Sequence, residues 1–295
     1  MLVVLLGSCA PVAASRPATT AHPTIVSLNP CADAILAQVA DPQQLIGISH
    51  YSQDPAASSM HLRLARRFHA TGGTVEEIVA LHPDVVVGDS FVQPAAAQAL
   101  KRLGIPLVRL SITDSLATSA AQVRQLAELA GQPARGEALL ERIEAALARA
   151  APPPGARPIS AIVWQGGGLV PGENTLIAEL LARAGFVNVA AARGLGQGAV
   201  LPLEAMLADP PRVILAAGDP RADEDRLLAH PALAALAPTT TLVRFDRRLL
   251  WCGGPTIVPA VTRLAEARRL LRSSPDPQGR TGQSARDRSH PAAGG

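Results

Sequence analysis

Two α/β lobes bridged by one long α-helix: that is the fold class predicted by the 295-residue sequence. Three observations predict it. The segment Val75 to Val87, Val-Glu-Glu-Ile-Val-Ala-Leu-His-Pro-Asp-Val-Val-Val, returns in kind as Leu203 to Leu215, Leu-Glu-Ala-Met-Leu-Ala-Asp-Pro-Pro-Arg-Val-Ile-Leu. Each copy reads as a short helix, a proline stop and a buried apolar strand. Between them, from Pro133 to Ala151, Leu139, Leu140, Ile143 and Leu147 recur at helical spacing, with Pro133 and Pro152 as start and stop signals. Finally, 48% of the residues are hydrophobic, enough for two lobes of about 110 to 120 residues, each with its own core.

In chain order, residues 1–22 read as an export signal and tether. Leu6-Gly7-Ser8-Cys9 resembles the lipobox of bacterial lipoproteins, which makes Cys9 the candidate lipid attachment site, and a Pro/Ala/Thr/Ser stretch follows it. Residues 23–131 form the N-terminal lobe. Its opening strand, Ile25 to Leu28, leads through Asn29-Pro30-Cys31 into a helix over Cys31 to Ala40, and a second strand lies near Leu45 to Ser49. The repeat helix and strand come next, with Ile105 to Leu110 as the closing strand. Residues 132–155 hold the bridging helix and a proline linker. Residues 156–272 repeat the plan: strand Ala161 to Trp164, helix Asn174 to Ala184, the second repeat copy, and closing strand Thr241 to Phe245. Residues 273–295, rich in Ser, Pro, Gly, Arg and Asp without periodicity, read as a disordered tail.

The net charge of +3 is small, and Lys101 is the only lysine. No basic stripe interleaved with aromatics is present, so nucleic acid is not an expected partner. No phosphate loop of Walker type, Gly-x-Ser-x-Gly elbow, His-Glu-x-x-His or paired Cys-x-x-Cys motif occurs, and Gly166-Gly167-Gly168 alone is weak evidence for phosphate.

In open α/β sheets a ligand crevice lies beyond the carboxyl ends of the strands. Residues expected there are Asn29 and Cys31 after the first strand, Tyr51 after the second, Trp164 and Gln165 in the second lobe, and Arg247, Trp251 and Cys252 near the end. Each has a plainer reading: Asn29 as a helix cap, Tyr51 as a loop aromatic, Trp164 as core. Aromatic residues make up only 2% of the chain, yet the only tyrosine and both tryptophans fall at strand ends, a bias that a flat or greasy ligand would select for. Cys31 and Cys252 are assigned to different lobes, and a disulfide between them would staple the cleft. The expectation is two free thiols facing the cleft, open to ligating a soft or borderline metal.

The order Ile25-Val26-Ser27-Leu28-Asn29-Pro30, Tyr51-Ser52-Gln53-Asp54-Pro55 and Gly73-Thr74-Val75-Glu76-Glu77-Ile78-Val79-Ala80-Leu81-His82-Pro83-Asp84 resembles the periplasmic binding proteins of iron-siderophore, haem and cobalamin importers, over about Pro23 to Leu271. Asn188-Val189 and Trp251-Cys252-Gly253-Gly254-Pro255 look like a bacterial branch of it. The resemblance implies a ligand in a shallow cleft between two lobes joined by one long helix. It implies a monomeric, non-enzymatic component of an ABC importer outside the cytoplasm, partnered by a permease and through it an ATPase. On the same ground Glu76 and Glu204 are the permease-docking carboxylates, and Tyr51 matches a corrin contact. No intrinsic cofactor is expected, the bound ligand being an iron or cobalt complex. Where the cobalamin binder carries tryptophans before each docking glutamate, this chain has His69-Ala70-Thr71 and Gln197-Gly198-Ala199, which speaks against a corrinoid pocket of that design. Arg66, Arg67, Arg247 and Arg248 suit an anionic ligand such as a ferric siderophore or haem propionates, and His50, His69, Tyr51, Cys31 and Cys252 are chemically able to ligate a metal. The alternatives are a two-lobed α/β enzyme using a metal or nucleotide at the same cleft, and a bare metal-ion receptor; the enzyme needs a convergent acid/base set.

Overall fold

Two parallel sheets lie on either side of one long helix in the computed structural model, which describes residues 22–218 and 230–272. The expectations for Cys9, for the rest of the leader and for the tail fall outside these residues. The first lobe runs β1 (Ile25–Ser27), α1 (Pro30–Val39), β2 (Leu45–Ser49), α2 (Leu62–Ala65), β3 (Ala70–Thr71), α3 (Val75–Ala80), β4 (Val85–Gly88), α4 (Pro94–Arg102), β5 (Leu107–Arg109) and α5 (Leu116–Leu129). Helix α6 (Pro133–Ala150) crosses over. The second lobe runs β6 (Ile159–Gln165), β7 (Leu169–Val170), α7 (Leu176–Arg183), β8 (Phe186–Asn188), α8 (Val189–Ala192), β9 (Ala199–Val200), α9 (Leu203–Ala208), β10 (Val213–Ala217), α10 (Pro231–Ala235), β11 (Thr241–Arg244) and α11 (Ile257–Arg272).

The sheet orders are β3-β2-β1-β4-β5 and β11-β10-β6-β8, parallel throughout. The repeat is therefore structural. Strand β4 lies beside β1 with Val85 opposite Ile25, and β10 lies beside β6 with Val213 opposite Ala161. The copies differ at one strand. β3 joins the first sheet, whereas β9, at the same place before the second repeat helix, leaves the second sheet and pairs antiparallel with β7.

Strand parity decides what each face buries. Ile25, Val85 and Val87 of the first sheet, and Ala161, Val163, Val213 and Leu215 of the second, all face inward. Between them pack Ile35 and Leu36 of α1, Val123 and Leu126 of α5, Leu139, Ile143 and Leu147 of α6, Leu180 of α7 and Leu264 of α11. The expected separate cores are thus corrected: one core runs through both lobes. Only the outer faces are private, Val26, Ile78, Val86 and Leu100 in the first lobe and Ile162, Trp164, Met206 and Ile214 in the second. Helix α6 is amphipathic, burying Leu139, Ile143, Ala146, Leu147 and Ala150 and exposing Glu137, Glu141, Glu144 and Arg149. Gly136 lets it approach α5 closely, since a Cβ there would lie 2.6 Å from that of Ala127.

A second connection returns to the first lobe. After β11 the chain passes through Arg247–Leu249 to Gly253 and Gly254, whose added Cβ atoms would meet Ser119 of α5 at 2.5 Å and Ile35 of α1 at 2.7 Å. The Gly254 amide donates to Ser119 Oγ at 2.7 Å, and the Thr256 hydroxyl donates to the Ser59 carbonyl at 3.3 Å. Helix α11 then packs along α6.

Candidate ligand site

A cavity of about 520 Å³ opens at the carboxyl ends of four parallel strands of the first lobe, within the roughly 300–1,000 Å³ typical of small-molecule sites. Leu28 and Pro30 follow β1, Ser49 to Tyr51 end β2, Thr71 to Gly73 end β3, and Asp89 to Gln93 follow β4. Strand order reverses between β1 and β4, the place where an open α/β sheet forms its crevice. Asn29 fastens this switch point. Its Oδ1 accepts from the Cys31 and Ala32 amides at 2.8 and 3.0 Å, and its Nδ2 donates to Asp89 Oδ2 across the gap. Asn29 thus acts as helix cap and strut, and it is not among the residues that line the cavity.

Tyr51 stands at the rim, half exposed, with its ring centroid 4.0 Å from that of His50. The turn that carries both, His50–Gln53, is tied down from beneath. His50 Nδ1 lies 3.3 Å from the Thr71 carbonyl, and Gln53 Nε2 donates to the Ala65 and Phe68 carbonyls at 3.2 and 3.0 Å. From α1, Asp33 Oδ2 accepts from the Ser49 amide at 3.0 Å and the Ser52 hydroxyl at 2.6 Å. Asp33 is fully buried, and loss of hydration pushes its carboxyl up to about 7, against the hydrogen bonds that favour its charged form. Sequence reasoning missed it. The available signal is a lone charge in the otherwise uncharged helix Pro-Cys-Ala-Asp-Ala-Ile-Leu-Ala-Gln-Val. Phe91, 75% exposed, adds an apolar surface at the end of β4.

Trp164 is corrected to a core residue. Strand β6 runs one residue further than expected, to Gln165, so Trp164 lies inside it and shares the outward parity of Ile162. It is wholly buried beneath Val170, Leu201 and Met206, and its Nε1 has no hydrogen-bond partner among the described residues. Gln165, half-buried, ends the strand opposite Ala217. Trp251 is 46% exposed, with the Arg247 guanidinium 5.8 Å from its ring centroid.

The two cysteines form a disulfide, Cys31–Cys252, with Cα atoms 5.1 Å apart. This overturns the expectation of free thiols and removes both from metal ligation. The reason is the return segment: Cys252 comes from the second half of the sequence but rides on the first lobe, so no lobe-to-lobe distance has to be spanned. The bridge sets the Trp251 carbonyl 3.7 Å from Cys31 Sγ, next to Pro30 on the cavity wall. Tyr51 and His50 thus line the cavity with Pro30 at the start of α1, whereas Arg247 and Trp251 lie by the disulfide and are not among the cavity's lining residues.

Glu76 and Glu204 hold the same position, second in the six-residue helices α3 and α9. Both are exposed, and neither takes part in an ion pair among the described residues. Capping falls to Glu77 instead, whose Oε2 accepts from the Thr71 hydroxyl at 2.9 Å and the Thr74 amide at 3.3 Å, holding its carboxyl below the usual range.

Two α/β lobes around a bridging helix, with an open cavity at the strand ends of one lobe, define a binding protein of the two-lobed class. The chain belongs to the periplasmic binding protein family, whose model matches residues 25–240. Among solved structures it is similar to the periplasmic heme-binding protein RhuT from Roseiflexus sp. RS-1 in apo form, at TM-score 0.63 and 23% identity, covering 83% of this chain and 99% of that one. It is similar also to the periplasmic heme binding protein HutB of Vibrio cholerae, at TM-score 0.68 and 18% identity, covering 83% and 98%. A cobalamin-binding protein of Halobacterium salinarum is 26% identical over 176 residues, 57% of this chain; the match spans 46% of that relative's length.

Proposed function

We propose that this chain is the substrate-binding component of an ABC importer, acting outside the cytoplasm, and that it carries an iron or cobalt macrocycle of haem or corrinoid type to a membrane permease. The observation that carries the reading is Tyr51, exposed on the cavity rim beside His50. No group of three or more His, Cys, Asp or Glu among the described residues could hold a metal ion. Tyr51 and His50 can supply one or two axial donors to a metal that arrives chelated, as a phenolate or imidazole does for haem iron. This favours a macrocycle over a bare ion. The half-exposed Trp251 and exposed Phe91 offer flat apolar surface, and Arg247 offers charge for an acidic substituent. Residues 23–131 and 156–272 are the two lobes in this reading, 132–155 the bridge, and Glu76 and Glu204 the carboxylates that meet the permease.

Titration with ferric haem, cobalamin and a ferric siderophore tests it. Tyr51→Ala is expected to weaken the bound macrocycle at least about tenfold, the order of one lost anchor contact. Tyr51→Phe keeps the ring and removes the oxygen, so it is expected to shift the absorption bands of bound haem while leaving cobalamin affinity unchanged. A wild-type protein that binds none of the three at micromolar concentration sinks the reading.

A further inference from the structure

Tyr51 makes no side-chain hydrogen bond among the described contacts, and half of its surface is open, so its position is inherited from the backbone beneath it. That backbone is one short turn, His50–Gln53, held at three places. Two of the ties, His50 to Thr71 and Gln53 to Ala65 and Phe68, bind the turn to segments just after it in the chain. The third alone reaches α1, where Asp33 accepts from both ends of the turn, the Ser49 amide before it and the Ser52 hydroxyl within it. Asp33, Ser49 and Ser52 are all at least 97% buried. Unlike a tie exposed to solvent, this one has no water to replace a lost partner. The same first turns of α1 carry the Asn29 strut to Asp89 and the disulfide to Cys252. One rigid helix start therefore references two walls of the cavity, at Tyr51 and at Asp89, and carries the disulfide beside them.

We propose that Asp33 is a positioning residue for ligand capture: through Ser49 and Ser52 it fixes the His50–Gln53 turn on α1 and so holds the Tyr51 ring at the cavity rim. This rests on the reading of Tyr51 as a ligand contact. Burial of the carboxyl keeps its acid form well populated near neutrality, so Asn is a close mimic that retains an acceptor oxygen for the Ser49 amide and the Ser52 hydroxyl. Ala retains none.

The chain has one tyrosine, so ring-labelled tyrosine gives a single NMR signal that reports Tyr51 without any ligand. The expected result is one sharp resonance in wild type and Asp33→Asn, and a broadened or split one in Asp33→Ala and Ser52→Ala. In the same two Ala variants affinity for ferric haem or cobalamin is expected to fall about tenfold, the size of one buried hydrogen bond, with affinity retained in Asp33→Asn. An unchanged Tyr51 resonance in folded Asp33→Ala overturns the proposal, as does an Asn variant that moves as far as the Ala variant. If Asp33→Ala does not fold, Ser52→Ala, which removes a single hydroxyl, decides by the same two outcomes. Failure of wild type to bind either macrocycle strikes the proposed function and leaves the ring signal to be judged separately.

Discussion

At the scale of single residues, burial has separated side chains that look alike in sequence. Trp164 and Trp251 both follow apolar runs, yet one is wholly buried and the other 46% exposed. The difference is one residue of strand length combined with the period-2 alternation of β6, which turns Trp164 toward Met206 and Leu201. Replacing Trp164 by Ala is expected to cost about 3–5 kcal/mol in denaturant unfolding, whereas Trp251→Phe is expected to leave stability within about 0.5 kcal/mol and to abolish the fluorescence change on macrocycle binding. A ligand-dependent signal that survives Trp251→Phe would return Trp164 to the site. Asp33 makes the second residue-scale prediction. Its native pKa of about 7 lies above the ordinary 3.8, so the folded state holds a proton that the unfolded chain releases. The contribution of Asp33 is therefore greatest at acid pH and is lost as pH rises from about 4 through about 7, by on the order of a few kcal/mol. Urea unfolding across that range is expected to show stability falling with pH in wild type relative to Asp33→Asn. Parallel curves for the two proteins contradict the assignment.

At the scale of elements, the repeat helices show what a local rule explains and what it leaves over. In α3 the capping box is closed by Thr74 and Glu77, so Glu76, one position earlier, is not needed to start the helix. In α9 the cap is Pro202, without a side-chain acceptor, and Glu204 is again exposed. Thr74→Ala is expected to cost about 1 kcal/mol, while Glu76→Ala with Glu204→Ala together stay within about 1 kcal/mol of wild type and retain ligand affinity. If both carboxylates meet permease arginines, the double variant loses uptake and binds the permease more weakly. Wild-type uptake by that variant leaves them as surface charges. Helix α6, the paired strands and both repeat helices were legible because each rests on local spacing: Leu139 to Leu147 at helical period, Val85 to Val87 and Val213 to Leu215 as buried runs between turn signals. The site was less so. Tyr51 and the strand ends followed from topology, but the Asn29 to Asp89 strut and the Asp33 to Ser52 tie join residues 60 and 19 positions apart, and no periodicity encodes such pairs. Nor did spacing reveal that Gly253 and Gly254 are contact glycines pressed against α5 and α1, the feature that carries Cys252 to Cys31.

At the scale of the whole molecule, two sheets do not make two independent folding units. The inward faces of both sheets share one core through α5, α6, α7 and α11, and the return segment after β11 is bound to the first lobe by Gly254, Thr256 and the Cys31–Cys252 bridge. Because Ile143 and Leu147 of α6 belong to a core that also contains Ile25 and Val213, opening either lobe alone would expose apolar surface belonging to the other, at roughly 25 cal/mol per Å². The bridge, whose cysteines are 221 positions apart, acts in the same direction by restricting the unfolded chain, typically by about 2–4 kcal/mol. The lobes are therefore expected to unfold together. In a Trp251→Phe background, Trp164 fluorescence reports the second lobe and the Tyr51 ring signal reports the first, and their urea midpoints are expected to coincide. Reducing the disulfide, or replacing both cysteines by Ala, is expected to lower both midpoints by the same amount, since the shared core remains when the staple is gone. Two midpoints in the oxidised protein would show that the lobes are separate units joined only at α6. Midpoints that part only after reduction would show that the bridge, and not the core between the sheets, holds the halves together.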